Sequence, residues 1–204
     1  MIHAEKQRLR ALLRETAATK APGDPAPLIT RLSRLEWWEN SSSVLLYAPL
    51  PGEPDPMGIL HRHPEKEFFF PRIKGTDLEL FRWSAESRWI SGPSNFPNLN
   101  EPDSESWERA SAGKIDLALV PGLGFDTKGG RLGRGKGYYD RLLGDPLFGA
   151  RKVALAWEWQ IAEAVPTEAH DVLMDLIVTE ERVICPAGDL DQADWTSPPK
   201  ADRS

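Results

Sequence analysis

The chain has 204 residues, 40% of them apolar and 27% charged, and a formal net charge of -6. That length and balance suit one globular domain with a sizeable core and exclude a disordered or fibrous class. The acidic total argues against a general polyanion binder, because nucleic-acid affinity of that kind comes from many Lys and Arg contacts to phosphates, so any anion site must be local.

Residues Met1 to Lys6 lack the apolar core of a signal peptide, and no stretch approaches the roughly 18 apolar residues of a membrane span. A cytoplasmic protein is expected. Glu5 to Thr19 predicts a helix with Leu9, Leu12 and Leu13 on one face and Lys6, Arg10 and Arg14 on another. Pro27 to Glu39 repeats the pattern through Leu28, Leu32, Leu35 and Trp38, with Pro27 at a favoured first position.

Ser43 to Ala48 is a continuous apolar run, as expected of a strand buried on both faces, and it stops at Pro49 to Gly52 before a loop containing Glu53. After a short helix around Met57 to His63, Phe68 to Phe70 and Leu78 to Trp83 read as strands, and Pro71 points to a strand end or edge for the first. Ser91 to Asp103, rich in Asn, Pro and Ser, reads as loop.

Asp116 to Val120 is a second buried-strand run, leading through Pro121 to Gly124 into a glycine-rich basic loop and a helix from Tyr138 to Leu143. Val153 to Trp157 and Leu176 to Val178 complete a series of apolar strands alternating with helices. That alternation predicts an α/β fold, a three-layer α/β/α sandwich with a mainly parallel sheet, in a single domain over 1–185. From Pro186 to Ser204 the composition of Asp, Pro and Ser predicts a flexible tail. Trp37, Trp38, Trp83, Trp157 and Trp159 fall in core elements, so packing is their expected use. The single Cys185 excludes an internal disulfide and reads as a small buried residue. In such sheets ligands collect where loops leave the carboxyl ends of strands, which directs attention to the loops after Ala48, Val120 and Trp157.

Gly129 to Asp140 holds five glycines and three cationic side chains in twelve residues. Glycines let a backbone approach an anion with its N–H groups turned inward, and Arg131, Arg134 and Lys136 add charge-assisted hydrogen bonds. The segment lacks the Lys-Ser or Lys-Thr of a nucleotide P-loop and the spacing of a dinucleotide fingerprint. Composition alone therefore leaves an anion site or a solvated glycine turn. Asp140 can hold a magnesium ion against phosphates or simply complement a helix start. Asp171 and Asp175, beside His170, can complete an ion site or cap a turn. Lys6 and Arg10 can bind an anion or form the wet side of a helix, and Glu53 is equally open.

The residues Leu119-Val-Pro121-Gly-Leu-Gly124-Phe-Asp126, followed by Gly130-Arg-Leu-Gly-Arg-Gly-Lys-Gly-Tyr-Tyr-Asp140, closely resemble the signature of the 5-formyltetrahydrofolate cyclo-ligase family. Further similarities fall in order at Lys6-x-x-Leu9-Arg10, Tyr47 to Asp55, Glu101-Pro102, Val165-Pro166 and His170-Asp171-x-x-x-Asp175, so the resemblance spans about 5–184. It implies an α/β sandwich and an ATP-dependent, magnesium-dependent cyclisation of 5-formyltetrahydrofolate to 5,10-methenyltetrahydrofolate, with release of ADP and phosphate. Carried over to this chain, ATP would meet Lys6, Arg10, Arg131, Leu132, Gly133, Arg134, Gly135, Lys136, Gly137, Tyr138 and Tyr139. The folate, with or without a polyglutamate tail, would meet Glu53, Arg134, Gly135, Lys136, Gly137 and Tyr138. Arg134, Lys136 and Tyr138 would be catalytic, and Asp140 and Asp171 would hold Mg2+. A monomer without nucleic-acid or membrane partners is expected. The rival readings are a phosphotransferase or sugar-phosphate enzyme on a related fold, and a single-stranded nucleic-acid-binding module, which the acidic charge disfavours.

Overall fold

In the computed structural model, which describes residues 2–21, 23–94 and 96–187, the apolar runs become the middle of one large sheet. The elements in chain order are α1 (Ile2–Thr19), α2 (Ala26–Ser33), α3 (Glu36–Glu39), β1 (Ser43–Leu45), α4 (Ile59–Arg62), β2 (Glu67–Lys74), β3 (Asp77–Arg82), β4 (Trp89–Ser91), β5 (Asn100–Pro102) and β6 (Glu108–Ala110). There follow β7 (Leu117–Val120), β8 (Gly124–Asp126), β9 (Arg131–Leu132), α5 (Tyr138–Leu143), β10 (Arg151–Leu155), β11 (Ile161–Ala162), β12 (Leu176–Val178) and β13 (Val183–Ile184). The expected tail lies, beyond Ala187, outside the described residues.

The main sheet has eight strands in the order β13-β12-β10-β7-β1-β2-β3-β6. Pairing is parallel from β12 through β10, β7 and β1 to β2 and antiparallel beyond, so the mainly parallel centre matches expectation. Successive strand residues point to opposite faces. Val44, Leu46, Phe68, Phe70, Leu117, Leu119, Val153 and Leu155 therefore enter one core under α2, α3 and α4. Leu45, Phe69, Ala118, Val120, Ala154 and Ile177 enter a second core with Leu142 and Leu143 of α5. Burying both faces explains why these runs are apolar throughout rather than alternating. Trp38 and Trp157 lie in the first core, with Trp37, Trp83 and Trp159 packed against it.

Several expectations are corrected. The helix predicted from Pro27 to Glu39 is two helices: the Ser33 hydroxyl bonds back to Ile29 O at 2.8 Å, and Leu35 takes extended backbone (φ -75°, ψ 132°), restarting the chain as α3 and turning Trp38 inward. The strand at Phe68 runs straight through Pro71 to Lys74 inside the sheet, between β1 and β3. Pro71 is tolerated because β1 pairs only with Glu67 to Phe69, leaving the β1-facing side open beyond Phe69, where the missing N–H breaks no ladder bond. The stretch predicted as loop from Ser91 to Asp103 contributes Ser91 and β5 to a two-stranded ribbon of β4 and β5. No helix among the described residues is long and apolar enough to cross a membrane.

Candidate active site

The glycine-rich segment is shaped by a clasp at its base. β8 and β9 pair antiparallel, with Phe125 opposite Arg131, so the segment opens as a tight hairpin. Asp126, 4% exposed, accepts from Lys128 N and Gly130 N through Oδ1 (2.9 and 2.8 Å) and from Val165 N through Oδ2 (2.7 Å). Gln160, 2% exposed, donates to Gly122 O at 2.9 Å and accepts from Trp157 N at 2.8 Å, tying the loop after β7 to the loop after β10. Gly135 has φ +96°, a conformation that costs any residue with a Cβ.

Helix α1 crosses these loops with one face. Lys6 Nζ donates to Asp171 Oδ2 at 2.5 Å and Glu168 Oε2 at 2.9 Å. One turn on, Arg10 Nε donates to Gly133 O at 2.9 Å, and Leu13 packs with Leu132 and Val165. The end of the Leu13 side chain also lies where a Cβ on Gly124 would sit, so the glycine lets the helix approach closely there. The last turn brings Ala17 against Gly52, beside Glu53.

Between these elements lies an open cavity, lined by apolar side chains and a few converging polar groups, as small-ligand sites are. Tyr47, Leu50 and Glu53 form the wall after β1, and Pro121 and Gly122 the wall after β7. Gly133, Arg134, Lys136, Gly137, Tyr138, Tyr139 and Asp140 line the basic side, while Ile73, Phe96, Leu99 and Glu101 line the opposite side. The loop after Trp157 does not line this cavity. Trp157 and Trp159 instead line a neighbouring cleft that shares Leu50 and Glu53 with it.

Arg134 donates from Nε (3.2 Å) and Nη2 (2.8 Å) to Glu53 Oε1, while Glu53 Oε2 accepts from Leu50 N at 2.9 Å. Burial pushes the Glu53 carboxyl above its usual range, and Arg134 offsets only part of that. Arg131, its side chain 4% exposed, donates to Asp140 Oδ1 at 2.7 Å and lies 5.6 Å from the Tyr139 ring centroid. Burial, followed by the Glu53 charge, pushes the Tyr139 and Tyr47 hydroxyls upward, so both stay protonated donors. For Lys6, burial pulls the ammonium down, but hydrogen bonds and charges from Asp171 and Glu168 more than reverse it. For Asp171, burial pushes the carboxyl up and Lys6 more than reverses that, leaving it low.

Most of the expected residues converge, in two groups. Glu53 and Arg131 through Tyr139 surround the cavity with two exceptions: Leu132 turns its 1% exposed side chain to Leu13, and Gly135 lies against the Arg10 guanidinium instead of lining the cavity. Lys6, Arg10 and Asp171 sit on the α1 side. Asp140 and Asp171 are each paired with a cation, Arg131 and Lys6, and among the described residues no three His, Cys, Asp or Glu side chains gather as a metal cluster. Both charges nevertheless reach Arg10, which lies within electrostatic range of each. Composition gave Asp126, Gln160, Glu168 and Arg141 no role. Arg141 stacks 5.5 Å from the Tyr138 ring centroid, donates to Lys136 O at 3.1 Å and hydrogen-bonds Thr76 O, which bridges α5 to β3. Asp126 did stand inside the quoted signature, the one available signal; Gln160 and Glu168 act through partners remote in sequence, and Arg141 also reaches Thr76, 65 residues away.

Residues 3–180 match the profile of the 5-formyltetrahydrofolate cyclo-ligase family. A 5-formyltetrahydrofolate cyclo-ligase of Mus musculus is 30% identical over 186 residues, covering 86% of this chain and 90% of the relative. The solution structure of Aquifex aeolicus 5,10-methenyltetrahydrofolate synthetase superposes with a TM-score of 0.77 at 31% identity, covering 91% of this chain and 95% of that one. A 5,10-methenyltetrahydrofolate synthetase from Mycoplasma pneumoniae shares the fold at 21% identity, with a TM-score of 0.64 over 85% of this chain and 97% of the other.

Proposed function

The chain belongs to the 5-formyltetrahydrofolate cyclo-ligase family, and we propose that it performs this family's ATP-dependent ring closure in the cavity between Glu53 and the Gly129 to Asp140 loop. The protein is an enzyme of folate one-carbon metabolism, which displaces the phosphotransferase and nucleic-acid readings. The observation that carries the siting is that the long signature segment, read from sequence as an anion cradle, forms one wall of a cavity whose other walls are largely apolar.

The formyl oxygen of 5-formyltetrahydrofolate takes the γ-phosphoryl group of ATP, releasing ADP. N10 then attacks the activated formyl carbon, its proton leaves, and the carbon–oxygen bond breaks to release phosphate and the cationic methenyl product. Phosphoryl transfer asks a protein for positioning and charge neutralisation rather than a covalent nucleophile. Lys136 and Arg134 supply charge at the cavity wall, and Lys6 and Arg10 supply it from α1. Arg134, held by Glu53, would keep its position through the reaction, and the Tyr138 and Tyr139 hydroxyls would donate to developing negative charge. Glu53 has one acceptor position left for a folate N–H after its contacts to Arg134 and Leu50.

Magnesium belongs to this reading as the ion that arrives with ATP. Such an ion keeps several waters and needs only one or two protein carboxylates, which Asp140 in the cavity wall and Asp171 beyond Arg10 can provide without a preformed cluster. Bound there, it would neutralise phosphate charge. A cytoplasmic monomer is also proposed; the chain's one cysteine, Cys185, is in keeping with a reducing compartment.

The deciding experiment mixes the protein with 5-formyltetrahydrofolate and Mg-ATP and follows the near-ultraviolet absorbance of the conjugated methenyl product. An ATP-dependent rise is expected. Folded protein that produces none refutes the reading.

A further inference from the structure

Glu101 is a buried carboxylate in the cavity wall that no step above employs; it is 4% exposed. It stands in β5, on the ribbon that also carries Phe96 and Leu99 into the cavity. Across from it, β2 runs on past the end of β1, so the Ile73 N–H that β1 would have met is left over. Glu101 Oε1 accepts that N–H at 2.9 Å.

A carboxylate offers about four acceptor positions. Glu53 has three of them filled, two by Arg134 and one by Leu50. Glu101 has one filled. Among the described residues Oε2 has no hydrogen-bond donor, and Arg72, whose charge Glu101 feels, directs its guanidinium to Pro102 O at 3.3 Å instead. Keeping an ionisable group buried with most of its acceptor capacity unused costs stability unless something else fills it. Capping Ile73 alone would need only an amide oxygen.

We propose that Glu101 Oε2 accepts hydrogen bonds from the 2-amino and N3–H edge of the substrate's pteridine ring, making Glu101 a specificity-determining residue of the folate pocket. The proposal rests on the cyclo-ligase reading. That edge presents two N–H donors side by side, the complement of a carboxylate, and Ile73, Phe96 and Leu99 offer apolar surface to the ring beside it.

Glu101→Gln separates the two roles, since glutamine still offers Ile73 an oxygen of the same reach while removing the charge and half the acceptor capacity. The KM for 5-formyltetrahydrofolate is expected to rise about 10- to 100-fold, the usual cost of losing a charged hydrogen bond. The KM for ATP, kcat and melting temperature are expected to stay near wild type. An unchanged folate KM overturns the proposal, as does a parallel rise in both KM values with a lowered melting temperature, the mark of a structural role. Should the variant not fold, the wild-type enzyme decides with a 2-desamino analogue of the substrate. Weaker use of the analogue supports the contact, and equal use overturns it. A wild-type protein that cyclises the parent substrate while Glu101→Gln behaves identically sinks this inference alone; a wild-type protein with no turnover sinks the cyclo-ligase reading with it.

Discussion

Arg134 reaches across 81 residues of sequence to place both Nε and Nη2 on a single oxygen of Glu53, at 3.2 and 2.8 Å. The pair joins the loop after β1 to the glycine-rich loop. It fixes both the position of a cation in the cavity wall and the width of the cavity between them.

Arg134→Ala is expected to lower kcat/KM at least 100-fold, about the loss of one well-placed transition-state donor. It also strands a buried carboxylate, at a cost of about 1–3 kcal/mol in urea unfolding. Because burial holds the Glu53 carboxyl above its ordinary 4.5, ionisation works against the fold there: the group's contribution is present below 4.5 and is lost as pH rises through its folded value. The double variant Arg134→Ala with Glu53→Gln should therefore recover stability over Arg134→Ala alone, and should not recover activity.

Lys136→Ala and Asp140→Ala are expected to depress turnover about 100-fold or more; Lys136→Ala should shift the melting temperature little, since it closes no core, whereas Asp140→Ala should also lower it by leaving the buried Arg131 without its carboxylate. For Asp140→Ala the magnesium concentration giving half-maximal rate should rise as well. Chelation of magnesium should abolish turnover by wild-type protein, and added Mg2+ should restore it. Full activity in the presence of chelator would remove the metal from the mechanism.

The contact between Lys6 and Asp171 predicts a pH dependence with two limbs. Asp171 is held below its ordinary 3.8, so its contribution to stability is present above 3.8 and lost as pH falls through its folded value. Lys6 is held above its ordinary 10.5, so its contribution is present below 10.5 and lost as pH rises through its folded value. Asp171→Asn should flatten the acid limb of a melting-temperature profile and Lys6→Met the alkaline limb. If the Asp171→Asn profile overlays that of wild type, the pair contributes nothing to folding.

Asp126→Ala should act at a distance. Three backbone N–H groups, of Lys128, Gly130 and Val165, lose their acceptor, and each unsatisfied donor costs about 1–3 kcal/mol where water cannot replace it. Turnover should fall together with stability, and Asp126→Asn, which keeps one carbonyl oxygen, should lie between. A variant as stable as wild type would mean the hairpin holds itself.

Gly135→Ala tests the loop backbone. A φ of +96° costs a residue with a Cβ about 1–2 kcal/mol, and the Arg10 guanidinium carbon lies 3.5 Å from where that Cβ would stand. The expected result is a rise in the KM for ATP with a modest loss of stability, read by kinetics and by calorimetry. Unchanged kinetics would detach this backbone position from the nucleotide.

The parallel centre of the sheet was legible because β1, β7, β10 and β12 are buried on both faces, which leaves continuous apolar runs in the sequence. The glycine-rich loop was legible because its composition is local. What stayed hidden depends on partners far away in the chain. Pro71 looks like an edge residue until β1 is seen to stop at Leu45, and the break before Leu35 rests on a serine hydroxyl returning to Ile29. The Asp126 and Gln160 clasps use side chains that bond loop backbones 39 and 38 residues away. Glu101 sits in a segment whose Asn, Pro and Ser content conceals a ribbon. Asp140 and Asp171 were expected to share one ion, and each is paired with its own cation, Arg131 and Lys6, a pairing that neither spacing nor composition encodes.

The passage of α1 over Asp171, Gly133, Gly124 and Gly52 has a consequence for assembly. Its polar contacts close loops of 123 to 165 residues, so each carries the entropic cost of closing a long stretch of chain. The sheet can form without it, because the two sheet cores draw their residues from other elements. The glycine-rich loop takes its ceiling from α1, which makes this helix a latch: a protein stripped of its first twenty residues should keep a folded sheet and have no working site.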